Sequence, residues 1–412
     1  MNIFIPQKVK FILDTLISNG FDAYIVGGCV RDSILNKIPN DYDVTTNAFP
    51  DDIMRLFDKI IPTGISHGTV TVLIDKEPFE VTTFRTESDY LDNRHPSKVF
   101  FVKDVKEDLS RRDFTINSMA YNTKYGLVDP FNGVKDLNLK IIRCVGDSSL
   151  RFKEDALRML RAIRFSSQLD FQIDNNTLSA ISENKDLLKN ISAERIRDEL
   201  IKMLLSDKAF IAINHMINTK TLKVILPELY EILLTNKSLN NIDLLPNKLY
   251  IRLCYLMIPL ENFKLCKGLL KHLRFDNNTI NLTMKFYDAI FKNFNLQDRV
   301  SIKNLIYNIS KNNIFDFLSL LKIIYINDFD HIKLIENAQL QVEDIISNKE
   351  PLSIKDLKIN GNDLKELGIK DGRIIGSILN FLLENVLRNP EINTKNHLLK
   401  LSNQYINKSP VS

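Results

Sequence analysis

Hydrophobic and polar positions change period along the chain, and the changes mark its elements. Val9, Ile12, Leu13, Leu16 and Ile17 recur at three- and four-residue spacing and predict an amphipathic helix within Ile3 to Ser18. Ala23-Tyr24-Ile25-Val26 is a short continuous apolar run rich in β-formers, so it predicts a buried strand. Gly27-Gly28 ends that run, and Val30 to Leu35 predicts a short helix. Asp41-Tyr42-Asp43 opens a second apolar run. Pro50 to Lys59 predicts a helix, with Pro and Asp at its start. Thr69 to Ile74 and Phe79 to Phe84 predict strands separated at Asp75 to Pro78. Arg85 to Ser97 is polar, carries Pro96 and predicts a loop. Glu107 to Ala120 and Arg151 to Gln168 each predict one helix.

After Asn190 the pattern is almost wholly helical. Ser192 is a predicted N-cap for a helix reaching Leu205. Phe263 to Phe275 and residues 290 to 345 continue in the same period. Ser353 to Gly376 carries turn signals at Asn360-Gly361, Gly368 and Asp371-Gly372, before a last helix from Arg373 to Leu387. No repeat period stands out. The expected class is α+β: a mixed sheet with helices, then an all-helical remainder.

At 412 residues the chain exceeds one ordinary core and predicts two to four domains. Hydrophobic residues at 44% and charged residues at 26% fit a soluble globular protein. A net charge of +4 is mild, so nucleic-acid binding would need locally clustered cations. Cys29, Cys144, Cys254 and Cys266 are far apart, which disfavours a zinc site and fits reduced thiols in the cytoplasm. The N-terminal helix is not a signal peptide, and no stretch has the apolar length of a membrane span.

The chemistry concentrates in four places. Gly27-Gly28 at a strand-to-helix turn presents backbone N–H groups that can hold phosphate oxygens, with the Arg31 charge beside them. Asp41 and Asp43 are two apart in a predicted strand and therefore share a side, as a pair of divalent metal ions requires. Glu80 either adds a third carboxylate or pairs with a surface Lys at a sheet edge. On the predicted 107–120 helix, Arg112, Asp113 and Asn117 form a polar ridge between Phe114, Ile116 and Met119. On the predicted 151–168 helix, Asp155, Arg158, Arg161 and Arg164 step by three, which overshoots simple ion pairing and suits a nucleotide or polyanion. Asp155 and Arg158 also offer a base code: the carboxylate accepts from an exocyclic amine and the guanidinium donates to a ring acceptor. Cytosine and adenine fit it. Uracil and guanine put a carbonyl and a ring N–H where these groups want the opposite. Lys264, Lys267, Lys271 and Arg274 share a helical face, either a solvated basic face or an RNA phosphate contact. Tyr90 and Arg94 in the 85–97 loop either touch substrate or lie in a plain connector.

The Gly-Gly turn followed by Asp-x-Asp, the Arg-Arg-Asp-x-x-x-Asn block and the Glu-Asp-x-x-Arg-x-x-Arg block resemble the class II tRNA nucleotidyltransferases and bacterial poly(A) polymerases, within the DNA polymerase β-like superfamily. The resemblance is strong over residues 23 to 165 and weaker afterwards. It implies a nucleotidyltransferase head (1–140), a helical neck that reads the base (141–205), a helical body (206–290) and a helical tail binding tRNA (291–412). It implies template-independent addition of C, C and A to the tRNA 3′ end from CTP and ATP, with two Mg²⁺ ions on Asp41 and Asp43. Gly27, Gly28 and Arg31 would hold phosphates, Arg112, Asp113 and Asn117 ribose and triphosphate, and Asp155 and Arg158 the base. Arg161 and Arg164 would support that pocket or the triphosphate. The 85–97 loop would serve the change from C to A. Neither a membrane nor an obligate protein partner is expected. A CC-only, A-only or poly(A)-adding enzyme, or a tRNA-binding protein without activity, are the alternatives.

Overall fold

The computed structural model describes residues 3–62, 64–90, 96–234, 238–292 and 294–408. The chain divides into two compact units: residues 1–243 with 272–275, and residues 244–271 with 276–412.

The first unit is built on a mixed sheet. Its strands are β1 (Ala23–Val26), β2 (Asp43–Thr46), β3 (Ile60–Ile61), β4 (Thr69–Ile74) and β5 (Glu77–Thr83). After the separate pair β6 (Arg85–Tyr90) and β7 (Pro96–Phe101) come β8 (Ala120–Asn122) and β9 (Gly126–Val128), which complete it. The sheet order is β3-β4-β5-β2-β1-β8-β9, with only the β2–β5 pair parallel. β1 lies near the centre and is buried along its whole length, as its unbroken apolar run predicts. Helix α1 (Gln7–Ser18) buries Val9, Ile12, Leu13 and Leu16 on the predicted stripe; Pro6 sets its start. Helix α2 (Gly28–Ile34) leaves β1 directly through Gly27, whose φ of 81° only glycine adopts without strain.

Four predicted elements differ. Helix α3 (Pro50–Leu56) stops early because Phe57 turns extended, and Ile60-Ile61 pairs with β4 instead. The 85–97 segment is not a loop. Arg85 to Ser88 pair with Phe101 to Lys98, and Tyr90 with Pro96, in an antiparallel ribbon; Arg94 lies outside the described residues, as does anything about the Tyr90 side chain.

The single helix over Glu107 to Ala120 is replaced by α4 (Val105–Ser110), one 3₁₀ turn at Thr115–Asn117, and β8. Phe114, Ile116, Met119 and Ala120 are all fully enclosed, so no exposed face remains for a helix to turn outward. The backbone pairs with a neighbouring segment instead: Thr115 N–H donates to the Arg143 carbonyl and Val145 N–H to that of Asp113. Aromatic and β-branched residues favour that extended pairing.

The single helix over Arg151 to Gln168 is two, after α5 (Gly133–Leu139): α6 (Ser148–Glu154) and α7 (Leu157–Leu169). Asp155 sits between them with φ −136° and ψ 105°, and its carboxylate accepts from Leu157 N–H at 3.0 Å. A short acidic side chain that bonds its own backbone competes with the helix and restarts it. Helix α8 (Asn175–Asn184) and α9 (Ala193–Leu204) follow.

The second unit is helical throughout its described residues. Lys264, Lys267 and Lys271 lie on the helix Phe263–His272, but Arg274 lies beyond its end with φ of 57° and pairs with Glu194, so it leaves the predicted stripe. The helix Gly372–Arg388 buries Ile378, Leu382 and Val386 at four-residue spacing, close to the predicted boundaries. Among the described residues no helix is long and apolar enough to cross a membrane.

Gly133 seats α5 against the 3₁₀ turn that carries Asn117. A Cβ there would collide with the Thr115 carbonyl oxygen and the Met119 sulfur. Gly133→Ala should therefore cost about 1–3 kcal/mol of stability in urea unfolding. An unchanged midpoint would mean that this seat is soft.

Candidate active site

A cleft of about 570 Å³ opens on the first unit, and its walls come from separate stretches of the sequence. Gly27, Gly28 and Arg31 enter from the β1–α2 turn. Asp41 and Asp43 enter at the start of β2, Arg112 and Asp113 after α4, and Asn117 from the 3₁₀ turn. Asp155 comes from the α6–α7 break, and Arg158, Arg161 and Arg164 from α7. The predicted nucleotide-binding residues are thus brought together with both predicted metal-ligating aspartates.

Hydrogen bonds tie these walls. Arg31 Nη1 donates to Asn117 Oδ1 at 2.8 Å, and Asn117 Nδ2 donates to Asp113 Oδ1 at 3.1 Å. Arg161 grips Asp113 Oδ2 through Nε at 2.8 Å and Nη2 at 2.7 Å. Burial pushes the Asp113 carboxyl up, but Arg161 and Asn117 outweigh burial and hold it at about 2. The i, i+4 meeting of Asp113 and Asn117 survives without the helix that predicted it, because the 3₁₀ turn folds one back over the other. Gly27 is doubly constrained: besides its positive φ, a Cβ there would lie 3.1 Å from Arg112 Nη1.

Asp155 and Arg158 do not pair with each other along one helix stripe. Asp155 Oδ2 accepts from Arg195 Nη2 at 3.0 Å, and Arg158 Nη1 donates to Glu154 Oε2 at 2.6 Å. Arg158 Nη2 also donates to the Arg111 carbonyl at 3.0 Å, which joins α7 to the segment after α4. Both groups line the cleft, each already held by neighbouring protein atoms.

Asp41 lies just before β2 rather than within it, and Asp43 is the strand's first residue. Among the described residues neither carboxylate has a hydrogen-bond or ion-pair partner. Asp43 reaches solvent at the cleft floor yet is walled by protein, and this desolvation with the Asp41 charge pushes its carboxyl up to about 6; Arg112 opposes the rise. Glu80 adds to it. In the parallel β2–β5 ladder Val44 faces Val81, so Glu80 stands beside Asp43 one pair earlier, on the side away from the buried valines. Glu80 does not line the cleft, and among the described residues no three His, Cys, Asp or Glu side chains form a ready metal cluster.

Four wall residues escaped the sequence-level selection: Arg111, Leu157, Phe165 and Arg195. Arg111 carried a signal, since it adjoins Arg112. Leu157 and Phe165 carried no signal of their own, Arg195 read as part of a helix start, and only the fold turns them to the cleft. Behind the wall, Asp108 is fully buried and accepts from Arg111 Nε at 3.0 Å and Arg112 Nη2 at 3.4 Å. Burial raises its carboxyl, and these two guanidiniums overcome that and leave it below the usual range.

An aspartate pair at the start of a strand, beside a glycine turn and facing an arginine-lined helix, suits nucleotidyl transfer from a metal-bound triphosphate. Comparison with known proteins agrees. Residues 23–143 match the family model for the “Poly A polymerase head domain”, residues 170–233 that for the “Probable RNA and SrmB- binding site of polymerase A”, and residues 252–401 that for “tRNA nucleotidyltransferase domain 2”. The CCA-adding enzyme of Pediococcus pentosaceus is 39% identical over 401 residues, covering 96% of each chain. That of Lactobacillus helveticus is 55% identical over 196 residues, 48% of this chain and 49% of that one. The crystal structure of the Bacillus stearothermophilus CCA-adding enzyme in complex with CTP superposes with a TM-score of 0.81 at 28% identity, covering 98% of this chain and 99% of that one. The chain belongs to the CCA-adding enzyme family.

Asp113 makes acid stability a test of this network. Its carboxyl lies below its ordinary value of 3.8 when folded, so it stabilises the fold above that value and loses the contribution as pH falls toward about 2. The loss should reach about 2 kcal/mol. Urea unfolding of Asp113→Asn should show a correspondingly shallower decline over that pH range than the parent. Identical slopes would contradict the depressed value.

Proposed function

We propose that this chain adds C, C and A to the 3′ end of tRNA from CTP and ATP without a nucleic-acid template. The observation that carries the reading is the single cleft holding both the aspartate pair and the Asp155–Arg158 base readers. Asp41 and Asp43 fit a hard divalent cation, being oxygen ligands with no hydrogen-bond or ion-pair partner among the described residues. They would hold two Mg²⁺ ions, which when bound supply charge stabilisation to the attacking and leaving oxygens.

The protein's own groups do the rest. The first turn of α2 and Arg31 take phosphate oxygens, and Arg112 with Asp113 and Asn117 takes ribose and triphosphate. Asp155 accepts from the amine of cytosine or adenine while Arg158 donates to the adjacent ring acceptor. Uracil and guanine leave both groups unpaired. The tRNA 3′ hydroxyl oxygen then bonds to the α-phosphorus, the bond from that phosphorus to the pyrophosphate oxygen breaks, and the hydroxyl proton passes to water. Glu80 assists Asp43 electrostatically from the neighbouring strand. Lys264, Lys267 and Lys271 have no ion-pair partner among the described residues and offer phosphate contacts to tRNA; Arg274, paired with Glu194, is the weaker candidate. Four buried free cysteines suit a cytoplasmic enzyme.

Asp41→Ala or Asp43→Ala should lower nucleotide addition by roughly a thousandfold or more. Both side chains are exposed, so the melting temperature should hold. Near-parental turnover at saturating Mg²⁺ would refute the metal assignment. Asp155→Ala should weaken CTP and ATP use by about 1.5–3 kcal/mol and raise UTP incorporation relative to CTP. An unchanged ratio would place base reading elsewhere.

A further inference from the structure

Three arginines of the cleft converge on one ring. The Cζ atoms of Arg164, Arg31 and Arg161 lie 4.2, 5.2 and 5.4 Å from the centroid of Phe165, a side chain only 6% exposed. Like charges brought this close repel, and Arg164 shows it: desolvation and the neighbouring Arg161 and Arg31 charges hold it below its ordinary basicity despite Glu199. Each guanidinium has a carboxylate partner of its own: Asp32 for Arg31 at 2.8 Å, Asp113 for Arg161 at 2.7 Å and Glu199 for Arg164 at 2.8 Å. What the three share is the ring, whose electron-rich face attracts cations. Phe114 meets Phe165 at 5.7 Å and 82°, which fixes its orientation.

We infer that Phe165 is a positioning residue for the nucleotide's phosphates: its π-face gathers Arg31, Arg161 and Arg164 into one anion receptor. The inference rests on the reading above that Arg31 takes phosphate oxygens, and extends it to Arg161 and Arg164, which line the same cleft. An apolar side chain of equal volume would fill the space but give the guanidiniums nothing to converge on. The ring favours binding of any polyphosphate alike, because it is remote in kind from the Asp155–Arg158 readers. Its loss should therefore raise KM for CTP and ATP together and leave the choice of base intact.

Replacing Phe165 by 4-fluoro-, 3,5-difluoro- and 3,4,5-trifluorophenylalanine drains the ring face stepwise while keeping its volume. In the full chain, KM for both nucleotides and the inhibition constant for inorganic pyrophosphate should climb in steps. At trifluoro substitution the rise should be roughly three- to tenfold, with kcat, the C-to-A ratio and the melting temperature steady. Phe165→Leu should match or exceed that rise. A flat series together with an unaltered Phe165→Leu would overturn the inference, as would a falling melting temperature with constant pyrophosphate inhibition, the mark of a packing role alone. A parent chain that adds nucleotides but is not inhibited by pyrophosphate would instead overturn the placement of the triphosphate, and the inference with it.

Discussion

The buried carboxylate of Asp113 is where the cleft is held together. It takes two hydrogens from Arg161 on α7 and one from Asn117 on the 3₁₀ turn, and Asn117 in turn takes one from Arg31 on α2. Three elements distant in sequence are thereby fixed around one negative charge. A carboxylate removed from water costs several kcal/mol unless such partners surround it. The arrangement is stable only when complete, so Arg161 and Arg31 reach the cleft with their positions already set.

That constraint has an electrostatic purpose. Seven arginines and four aspartates line the cleft, so the surface it turns to a ligand presents more guanidinium than carboxylate groups. Further carboxylates, Asp32, Asp108, Glu154 and Glu199, sit behind the wall and hold individual guanidiniums without filling the opening. Of the four cleft aspartates, only Asp41 and Asp43 have no hydrogen-bond or ion-pair partner among the described residues, as the proposed cation site requires. Positive wall and bare carboxylate pair together suit a nucleoside triphosphate carried with divalent metal.

Local patterns made much of this legible. The apolar run of β1, the Gly-Gly turn and the Asp-x-Asp pair were readable because each depends on a few adjacent residues. The all-helical remainder was readable from its period. The failures have two causes, one tertiary and one local. Glu107 to Ala120 has helical spacing, yet Phe114 and Ile116 are enclosed on all sides and the backbone finds partners at Arg143 and Asp113, which no local pattern reveals. Arg151 to Gln168 has helical spacing too, but Asp155 bonds the Leu157 amide and breaks it. The break is functional in consequence, since it turns Asp155 toward Arg195 and the cleft instead of along the arginine stripe. Arg195 and Phe165 were invisible for the converse reason: their spacing describes ordinary helices, and only tertiary packing aims them. Arg274 left its stripe because the helix stops at His272.

The central claim is that one protein pocket, with no template, accepts C and then A and refuses U and G. It is tested most directly by giving the purified chain a tRNA that lacks its three terminal nucleotides and sequencing the extended ends. The account predicts a CC end with CTP alone, a CCA end with CTP and ATP together, and no growth with UTP or GTP. Long A tails with ATP alone, or equal use of UTP and CTP, would contradict it.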